Sequence, residues 1–485
     1  MEIIGRKKEI HQLHKAMNSQ EAEFIVTYGR RRIGKTYLIR EFFSQKPCVF
    51  IHATGQQKGS LQTQLKNFTE SLSQCFTSGI SLETPASWES AFKLLDQLIQ
   101  NDPRPKDQKI VLFLDELPWM HTRKSKLLET LDYSWNHRWS TNPRMILIAC
   151  GSSASWIIKN IIYNKGGLHN RCTCEMRLAP FSLSETALFL KYRNITLNKN
   201  HILETYLALG GVPYYLKYLE PGLTASENIQ KILFDTQAPL KDEFNKLFTS
   251  LFTDAEHYIS LIKMIAESGQ GLTRNEITAL TPKASIGGRL TERLDNLTQA
   301  RFIEPHTSFG KKRDVYFKLI DEFCLFYLSW VEPFQQFKKM PDHWLKQQSK
   351  PSYHAWSGYA FEAVCEKHIE AIVKALDIKT AEFISSWQCK SDQKIKDSRG
   401  AQIDLLIDRN DDAITLCEIK YTEQPFSIDK SYAENLKNKI KMFTEKTKTQ
   451  KQIFLSFISA NGLVSNSYSK ELVSGKVVKL EDLFD

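Results

Sequence analysis

Eight residues near the start of the chain have the types and spacing of a phosphate-binding loop. The segment reads GRRRIGKT and fits the pattern GxxxxGK[ST] at every fixed position. Its glycines allow backbone N–H groups to turn towards phosphate oxygens, and the N-terminus of a following helix adds partial positive charge. The lysine would reach the β- and γ-phosphates, and the threonine hydroxyl would bind Mg²⁺. The pattern predicts ATP and Mg²⁺ as cofactors, held by Gly29, Arg30, Arg31, Arg32, Ile33, Gly34, Lys35 and Thr36.

Two adjacent carboxylates form the second group with recognisable chemistry. The apolar run 111–114 leads directly into Asp115 and Glu116. Asp115 stands where an acid would hold the Mg²⁺ together with Thr36, and Glu116 is placed to polarise the attacking water. With Lys35 counted among the catalytic residues, this pair predicts hydrolysis of ATP and not binding alone.

Two more polar residues are candidates for the same reaction. Ser152 follows the apolar run 145–150, where a side chain could contact the γ-phosphate or the attacking water; a simple turn is the alternative. Arg171 lies beyond the next helical segment and could stabilise charge on the transferring phosphoryl group. It would act within its own subunit or from a neighbour, and a solvated surface arginine is the alternative.

The C-terminal third carries a different set of acids. Asp404 is the only acid inside the strand pattern 402–407, and Glu418 and Lys420 occupy one face of the next strand because side chains alternate along a strand. Residues 410–412 between them are turn formers. Asp404 and Glu418 could share a divalent cation, Lys420 could orient water, and Glu362 could add a fourth polar group. The alternative is a hairpin with an ordinary surface Glu/Lys pair.

The same strand predicts which side of it is buried. Ile403, Leu405 and Ile407 alternate with Asp404, so we expect these three to pack inward against helices. The polar groups would then be left in a cleft on the opposite face. Carboxylates crowded there would repel, so at least one should have a raised pKa without a cation.

The elements that must position these groups can be placed from apolar periodicity. Four short, continuous apolar runs suit strands buried on both faces of a parallel sheet, which predicts a doubly wound α/β domain. A helix is expected over 37–43, and residues 183–235 are mostly helical. The four runs are 24–28, 48–52, 110–114 and 145–150.

The middle of the chain has the element order of a winged helix. Helices are predicted over 273–280 and 286–299, followed by strands over 302–305 and 315–319. Arg289 and Arg293 lie four residues apart on one helix, and the turn contains Lys311, Lys312 and Arg313. A recognition helix with a basic turn predicts binding to DNA. The alternative is a module that only packs on the ATPase domain or contacts protein.

The overall prediction is a multi-domain α/β protein. Its segments are a P-loop ATPase domain with a helical lid, a winged helix, a linker and a C-terminal α/β domain, over residues 1–235, 236–332, 333–352 and 353–485. The last segment restarts with a long helix over 356–376.

Composition narrows the class of protein. The chain has 485 residues, 42% hydrophobic and 25% charged, and a net charge of +10, which is compatible with a nucleic-acid partner. Its nine cysteines are scattered, so we expect free thiols in a reducing cytoplasm. The start lacks the apolar core of a secretion signal, and no apolar run nears the roughly 18 residues of a membrane helix. We expect a cytoplasmic protein without a membrane partner.

The motifs together resemble known families. Residues 1 to about 330 resemble the archaeal-type ATPases, a branch of the AAA-related and signal-transducing P-loop NTPases. Besides the loop and the acidic pair, the matches are Ile4-Gly5-Arg6, Gly151-Ser152-Ser153, Arg171 and Gly210-Gly211-Val212-Pro213. This resemblance implies an ATP-driven switch and allows ring or dimer formation.

The C-terminal pattern Asp-x₁₃-Glu-x-Lys resembles the PD-(D/E)XK nuclease superfamily, with Ile403 in place of the motif's proline. The resemblance implies a restriction-endonuclease-like fold. The hypothesis is an ATP-hydrolysing switch coupled to DNA binding and to Mg²⁺-dependent cleavage, in DNA processing or defence. The alternative is a regulatory ATPase whose inactive C-terminal domain contacts protein.

Overall fold

A computed structural model describes residues 2–485, apart from 165, 169, 270, 282–286, 308, 311–314, 336–341 and 390–399. The chain divides into two compact units, Met1–Pro180 and Phe181–Asp485. Residues 181–235, which we assigned to the lid of the ATPase domain, therefore lie in the second unit. The predicted basic turn Lys311-Lys312-Arg313 lies outside the described residues.

The first unit is built on a five-stranded sheet in which every pairing is parallel, in the order β2-β3-β4-β1-β5. This confirms the parallel α/β domain predicted from the apolar runs. The strands are β1 (Glu23–Tyr28), β2 (Cys48–Thr54), β3 (Lys109–Asp115), β4 (Met145–Gly151) and β5 (Cys174–Arg177).

Helices cover both faces of this sheet. Leu13 and Ile39, from α1 and α2, pack with one set of strand side chains, while Phe68 and Phe92, from α3 and α4, pack with the other set. The helices are α1 (Lys7–Asn18), α2 (Lys35–Ser44), α3 (Leu61–Phe76), α4 (Trp88–Gln100), α5 (Leu117–Met120), α6 (Leu127–Ser134) and α7 (Ala154–Ile157). Two π-helical turns, Trp135–Trp139 and Ile158–Ile162, extend α6 and α7.

The second unit begins with a helical layer. It contains α8 (Leu183–Tyr192), α9 (Lys199–Leu209), α10 (Pro213–Leu216), α11 (Ala225–Ile229) and α12 (Glu243–Leu251). A glycine is required between α9 and α10, because a Cβ on Gly211 would lie 1.8 Å from the carbonyl oxygen of Phe181.

The next elements follow the predicted winged-helix order. They are α13 (Ala255–Glu267), β6 (Leu272–Thr273), α14 (Arg274–Leu280), α15 (Gly288–Gln299), β7 (Ile303–Thr307) and β8 (Val315–Leu319). The three strands form a sheet in the order β6-β8-β7, and both pairings are antiparallel.

The described part of segment 333–352 is packed, which differs from the free linker we expected. Trp344 is only 1% exposed and stacks on Phe234, with ring centroids 5.6 Å apart. The helices before and after Trp344 are α16 (Glu322–Phe326), α17 (Glu332–Gln335), α18 (Pro351–Lys367) and α19 (Ile369–Ala375). The long helix predicted over 356–376 is therefore two helices, because His368 breaks it.

The C-terminal core is a mixed five-stranded sheet in the order β13-β12-β11-β10-β9. The pairings β9/β10 and β10/β11 are antiparallel, and β11/β12 and β12/β13 are parallel. The elements are β9 (Ala381–Cys389), β10 (Ala401–Arg409), β11 (Ala413–Lys420), α20 (Lys430–Thr447), β12 (Gln452–Ser459), α21 (Ser467–Leu472) and β13 (Val477–Val478).

Strand β10 does not keep the strict alternation we expected. Leu405 and Ile407 pack on the side that carries α18, as predicted, but Ile403 packs with Leu416 on the side that carries α20. The pairing of β10 with β9 is irregular between Ile403 and Leu406. Such an irregularity shifts side chains between the faces of a sheet, and Asp404 lies within it.

The sequence also predicted free cysteines and no membrane-spanning helix. All nine cysteines are free. None of the helices in the described part of the chain has the length and apolar character that a membrane crossing requires.

Candidate nucleotide site and C-terminal carboxylate sites

The phosphate-binding loop connects β1 to α2, as its motif requires. Gly29 has a φ of 146°, and a Cβ there would lie 2.4 Å from the carbonyl oxygen of Leu178, so only glycine fits. Gly34 has a φ of 91° and precedes the first residue of α2, where a side chain would be strained. The backbone therefore adopts the turn that places successive N–H groups at a helix N-terminus.

Lys35 is buried at the centre of this loop. Its Nζ donates hydrogen bonds to the carbonyl oxygens of Gly29 (2.7 Å) and Arg30 (2.8 Å) and to Ser152 Oγ (3.1 Å). Burial lowers the pKa of Lys35 below its usual value. A phosphate group would offer the ammonium a full counter-charge in place of carbonyl dipoles.

Thr36 and Asp115 are already joined as the predicted Mg²⁺ ligand set requires. The Thr36 hydroxyl donates to Asp115 Oδ2 at 2.9 Å, and His52 Nε2 lies 3.5 Å from the same oxygen. Burial alone would raise the pKa of Asp115, but hydrogen bonds with His52 and Thr36 outweigh it and hold the pKa below its usual value. A hydroxyl beside a buried anionic carboxylate fits a Mg²⁺ ion bound with nucleotide.

Glu116 is held by Ser152. Ser152 donates two hydrogen bonds to Glu116, one from its hydroxyl to Oε1 and one from its backbone N–H to Oε2 at 3.1 Å. Because β4 lies between β1 and β3, the residue after β4 falls between the loop and the acidic pair. Ser152 therefore links Lys35 to Glu116, which gives it a contact that the simple-turn alternative lacks.

The three arginines of the loop and the predicted Arg171 lie in different environments. The Arg31 guanidinium lies over the Trp119 ring, 5.0 Å from its centroid, while Arg30 is buried and Arg32 has a φ of 73°. Arg171 is exposed, and its Nε donates to Gly167 O at 3.4 Å. Its catalytic role stays a prediction.

Two residues of the nucleotide site were given no role from the sequence, although Arg6 belongs to a matched motif. Arg6 Nη2 donates to the carbonyl oxygen of Ile33 at 3.0 Å, so the Ile4-Gly5-Arg6 motif supports the phosphate-binding loop. His52 ends the apolar part of β2 and contacts Asp115 across two neighbouring strands. The sequence signal that could have identified His52 is its position as a polar residue near the end of the apolar run 48–52.

In the C-terminal core, Asp404 lies where two strands part. The described pairing of β10 with β11 runs as far as Leu405 and Cys417, and Asp404 and Glu418 come next on their strands. Asp404 Oδ2 accepts a hydrogen bond from Ile419 N at 3.0 Å. Burial raises the pKa of Asp404 to about 7, and the carboxylates of Glu418 and Glu362 add to the effect. This is the raised pKa expected of crowded acids.

Glu418 and Lys420 face α20. Glu418 is only 2% exposed; its Oε1 lies 2.5 Å from Lys439 Nζ, and its Oε2 accepts from the Tyr432 hydroxyl at 2.7 Å. Lys420 Nζ lies 3.6 Å from Glu418 Oε2 and 5.3 Å from the centroid of the Tyr432 ring.

Glu362 lies on α18 and shares a cavity of about 330 Å³ with Asp404. Its Oε2 is 3.3 Å from Lys318 Nζ, which also lies 3.0 Å from Glu366 Oε1. Burial would lower the pKa of Lys318, but Glu366 and Glu362 outweigh it and raise the pKa well above its usual value. The four predicted residues thus form two neighbouring groups, Asp404 with Glu362 and Glu418 with Lys420.

Sequence reasoning missed the residues that pair with these acids. Lys318 comes from β8, and Tyr432 and Lys439 come from α20, each distant in sequence from the acid it contacts. Among the described residues, the group of three with metal-ligating atoms within 4.8 Å of one another is Glu304, His306 and Glu366, which we did not predict.

The two arginines of the predicted recognition helix differ in exposure. Arg289 is exposed at the start of α15, whereas Arg293 is buried, with 8% of its surface accessible. They do not form one exposed basic face, because Arg293 lies on the side of α15 that also buries Leu290 and Leu297.

The first unit thus has the fold of a P-loop nucleotide hydrolase and carries the phosphate-binding motif between β1 and α2. Residues 3–219 match the family described as the ATPase domain predominantly from Archaea. Residues 3–219 therefore carry an ATPase domain of this family, and the protein is an ATPase.

Two relatives come from Methanocaldococcus jannaschii. The uncharacterized protein MJECL04 is 23% identical over 432 residues, which are 87% of this chain and 88% of the relative. The similarity is therefore longer than the ATPase match. The uncharacterized ATP-binding protein MJ0423 is 44% identical over 44 residues, which are 9% of this chain and 75% of the relative.

Two solved structures match part of this chain. The Walker-type ATPase PABY2304 of Pyrococcus abyssi has 18% identity and a TM-score of 0.46, over 67% of this chain and 96% of that chain. The ORC2 protein of Aeropyrum pernix has 15% identity and a TM-score of 0.43, over 69% of this chain and 95% of that chain.

Proposed function

We propose that this chain is an ATP-driven switch that acts on DNA and cleaves it with a divalent cation at Asp404 and Glu418. Such a protein would serve DNA processing or defence against foreign DNA. The observation that carries the proposal is that Asp404 and Glu418 each follow the last described pair of β10 and β11, and that the Glu418 carboxylate is close enough to help raise the pKa of Asp404.

At the nucleotide site, each residue has a distinct task. Lys35 would exchange the loop carbonyls for the β- and γ-phosphates, and Thr36 and Asp115 would hold Mg²⁺. When bound, Mg²⁺ neutralises charge on the phosphates. Glu116 would accept a proton from the attacking water, and Ser152 would set the direction of the Glu116 carboxylate through its two hydrogen bonds.

At the C-terminal core, Asp404 and Glu418 would be cation ligands. Burial and the carboxylates of Glu418 and Glu362 raise the pKa of Asp404 to about 7. The hydrogen bond from Ile419 N and the charge of Lys420 therefore give its negative charge incomplete compensation. A divalent cation would supply the rest through oxygen ligands, and Lys420 would orient water near the scissile phosphate. Glu362, which lines the cavity with Asp404, would complete the acid group.

DNA would be recruited by the α13–β8 module. Arg289 is exposed on α15, and the sequence between β7 and β8 adds the charges of Lys311, Lys312 and Arg313. Cations of this kind bind phosphates and release counterions, so affinity should fall with salt.

The test is a cleavage assay on the purified full chain with Mg²⁺ or Mn²⁺, with and without ATP. Asp404→Asn and Glu418→Gln should abolish cation-dependent cleavage, while ATP hydrolysis continues. Asp411→Asn is the matched control, since Asp411 lies on the same hairpin but pairs with Arg409. Cleavage that is unchanged in Asp404→Asn would refute the proposal.

Self-association can be tested through Arg171. We propose that Arg171 acts on a neighbouring subunit's nucleotide. Neither Arg171→Ala nor Lys35→Ala alone should hydrolyse ATP. A mixture should regain activity, because an intact loop of the first variant meets an intact arginine of the second. A mixture that stays inactive would show that Arg171 acts within its own subunit or not at all.

The ion pairs that lysines form with the C-terminal acids favour a second function. Lys439 and Tyr432 already occupy both oxygens of Glu418, and Lys318 pairs with Glu362. These contacts suit a regulatory ATPase whose C-terminal core binds protein and cleaves nothing. Wild-type protein that hydrolyses ATP but leaves every DNA substrate intact with Mg²⁺ and Mn²⁺ would favour this function.

A further inference from the structure

Two neighbouring side chains in the second unit have buried polar atoms without a hydrogen-bond partner. His306 Nε2 and Glu366 Oε2 face each other at 3.5 Å, and both atoms are shielded from solvent. Buried polar atoms that lack a hydrogen bond destabilise the folded chain, and this contact at 3.5 Å is too long to be a good one. This destabilisation would disappear if a cation were bound by both atoms.

A third ligand stands beside them. Glu304 lies two residues before His306 on β7, so both side chains project from one face of the strand. The ligand atoms of Glu304, His306 and Glu366 all lie within 4.8 Å of one another. Tetrahedral coordination at about 2.0–2.1 Å separates ligand atoms by roughly 3.3 Å, close to the 3.5 Å between His306 and Glu366.

Neighbouring side chains hold His306 and Glu366 in place and determine the net charge of the cluster. The His306 ring stacks on Tyr316, with centroids 5.4 Å apart, and Lys318 holds the other oxygen of Glu366 at 3.0 Å. Glu362 and Glu366 both contact the Lys318 ammonium group, and Glu304 is the register partner of Lys318 across β7 and β8. The cluster therefore has two negative charges in excess, which a divalent cation would neutralise.

From these contacts, we infer that Glu304, His306 and Glu366 bind a Zn²⁺ ion that ties β7 to α18. Imidazole nitrogen favours zinc and similar transition metals over Mg²⁺ and Ca²⁺, which take oxygen ligands. Three protein ligands leave the fourth position to water. The three ligands are different residues from Asp404 and Glu418, although Glu366 lines the same cavity as Asp404, and the inference does not depend on the proposed cleavage.

The experiment uses the full chain, stripped of metal with a chelator and free of nucleotide. Zn²⁺ is titrated by calorimetry, and Co²⁺ is added separately because its visible absorption reports ligation directly. Wild type should bind one ion at this site. His306→Gln and Glu366→Gln should weaken binding about tenfold or more and remove the Co²⁺ absorption.

Two matched controls locate the ion. His257→Gln removes an exposed histidine on α13 and should bind like wild type. Asp404→Asn should also keep zinc, even where it loses cleavage. Glu304→Gln gives a second ligand variant on a half-exposed side chain, in case Glu366→Gln does not fold.

Two results would overturn the inference. Equal zinc affinity in wild type, His306→Gln and Glu304→Gln would mean that these residues are not ligands. Loss of zinc in Asp404→Asn with retention in His306→Gln would place the ion at the carboxylates of the C-terminal core.

Discussion

At the nucleotide site the acids accept hydrogen bonds from neutral groups: Thr36 donates to Asp115, and Ser152 donates to Glu116. In the C-terminal core, Glu362 and Glu418 are contacted by the ammonium groups of lysines. A neutral donor orients a carboxylate and leaves its charge for a metal or a proton, whereas an ammonium group already neutralises it. The nucleotide site is thus arranged for a cation that arrives with its substrate. In the C-terminal core, a cation could bind Glu362 or Glu418 only by displacing the paired lysine or by sharing the carboxylate with it.

The largest effect should come from the proposed base at the nucleotide site, Glu116. Glu116→Gln removes the proton acceptor but keeps the shape, so ATP hydrolysis should fall about 10²–10⁴-fold with little change in ATP binding. Steady-state turnover and the Kd for a fluorescent ATP analogue measure the two separately. Wild-type turnover in this variant would show that Glu116 is not the base.

The second prediction concerns Asp404. No described ion pair joins its carboxylate to a lysine, whereas the carboxylates of Glu362 and Glu418 each pair with one. The Asp404 pKa of about 7 lies above the value of about 3.9 in an unfolded chain. Between pH 4 and pH 7 the unfolded chain therefore releases this proton first, and stability falls as pH rises. Asp404→Asn should be more stable than wild type above pH 7, by about 4 kcal/mol at most.

Urea unfolding at pH 4 and at pH 8 checks this sign. The two proteins should differ at pH 8 and converge at pH 4, and Mn²⁺ should narrow the difference by binding the wild-type carboxylate. A variant that is less stable than wild type at pH 8 would mean that the Asp404 charge is compensated in the folded protein.

A smaller effect is expected from Ser152, which orients the Glu116 carboxylate but does not accept the proton itself. Ser152→Ala removes the hydroxyl that joins Lys35 to Glu116, and kcat should fall about ten- to a hundredfold while KM changes little. Ser152→Thr restores a hydroxyl and should recover most of the rate, and Ser153→Ala is the neighbouring control. Equal rates in the Ala and Thr variants would assign Ser152 to the turn alone.

The smallest effect concerns DNA. Arg289→Gln should lower the slope of log affinity against log salt by about 1, because one phosphate contact is lost. Lys437→Gln, which removes an exposed lysine paired with Glu471, should leave the slope unchanged. A slope that does not respond to Arg289 would favour a structural role for α15.

The two regions also differ in how much their sequence revealed. The phosphate-binding loop is contiguous, and its backbone sets the geometry, so the motif located Lys35 and Thr36 and the strand that must precede them. Buried parallel strands are continuous apolar runs, so β1 to β4 were found within a few residues.

In the C-terminal core the acids were found but their partners were not. Lys318 and His306 reach α18 from strands of another module, and such pairings depend on tertiary packing that periodicity does not encode. The irregularity at Ile403 shifted one apolar side chain to the other face, against strict alternation. Trp344 showed the same limit, since a polar stretch around it hid a buried aromatic residue.

The most direct test measures ATP turnover and DNA cleavage side by side in Lys35→Ala and Asp404→Asn. The account predicts that Lys35→Ala loses turnover and with it any ATP-dependent change in cleavage, while Asp404→Asn hydrolyses ATP at the wild-type rate and cleaves nothing. Cleavage by Asp404→Asn at the wild-type rate with Mn²⁺ would contradict it.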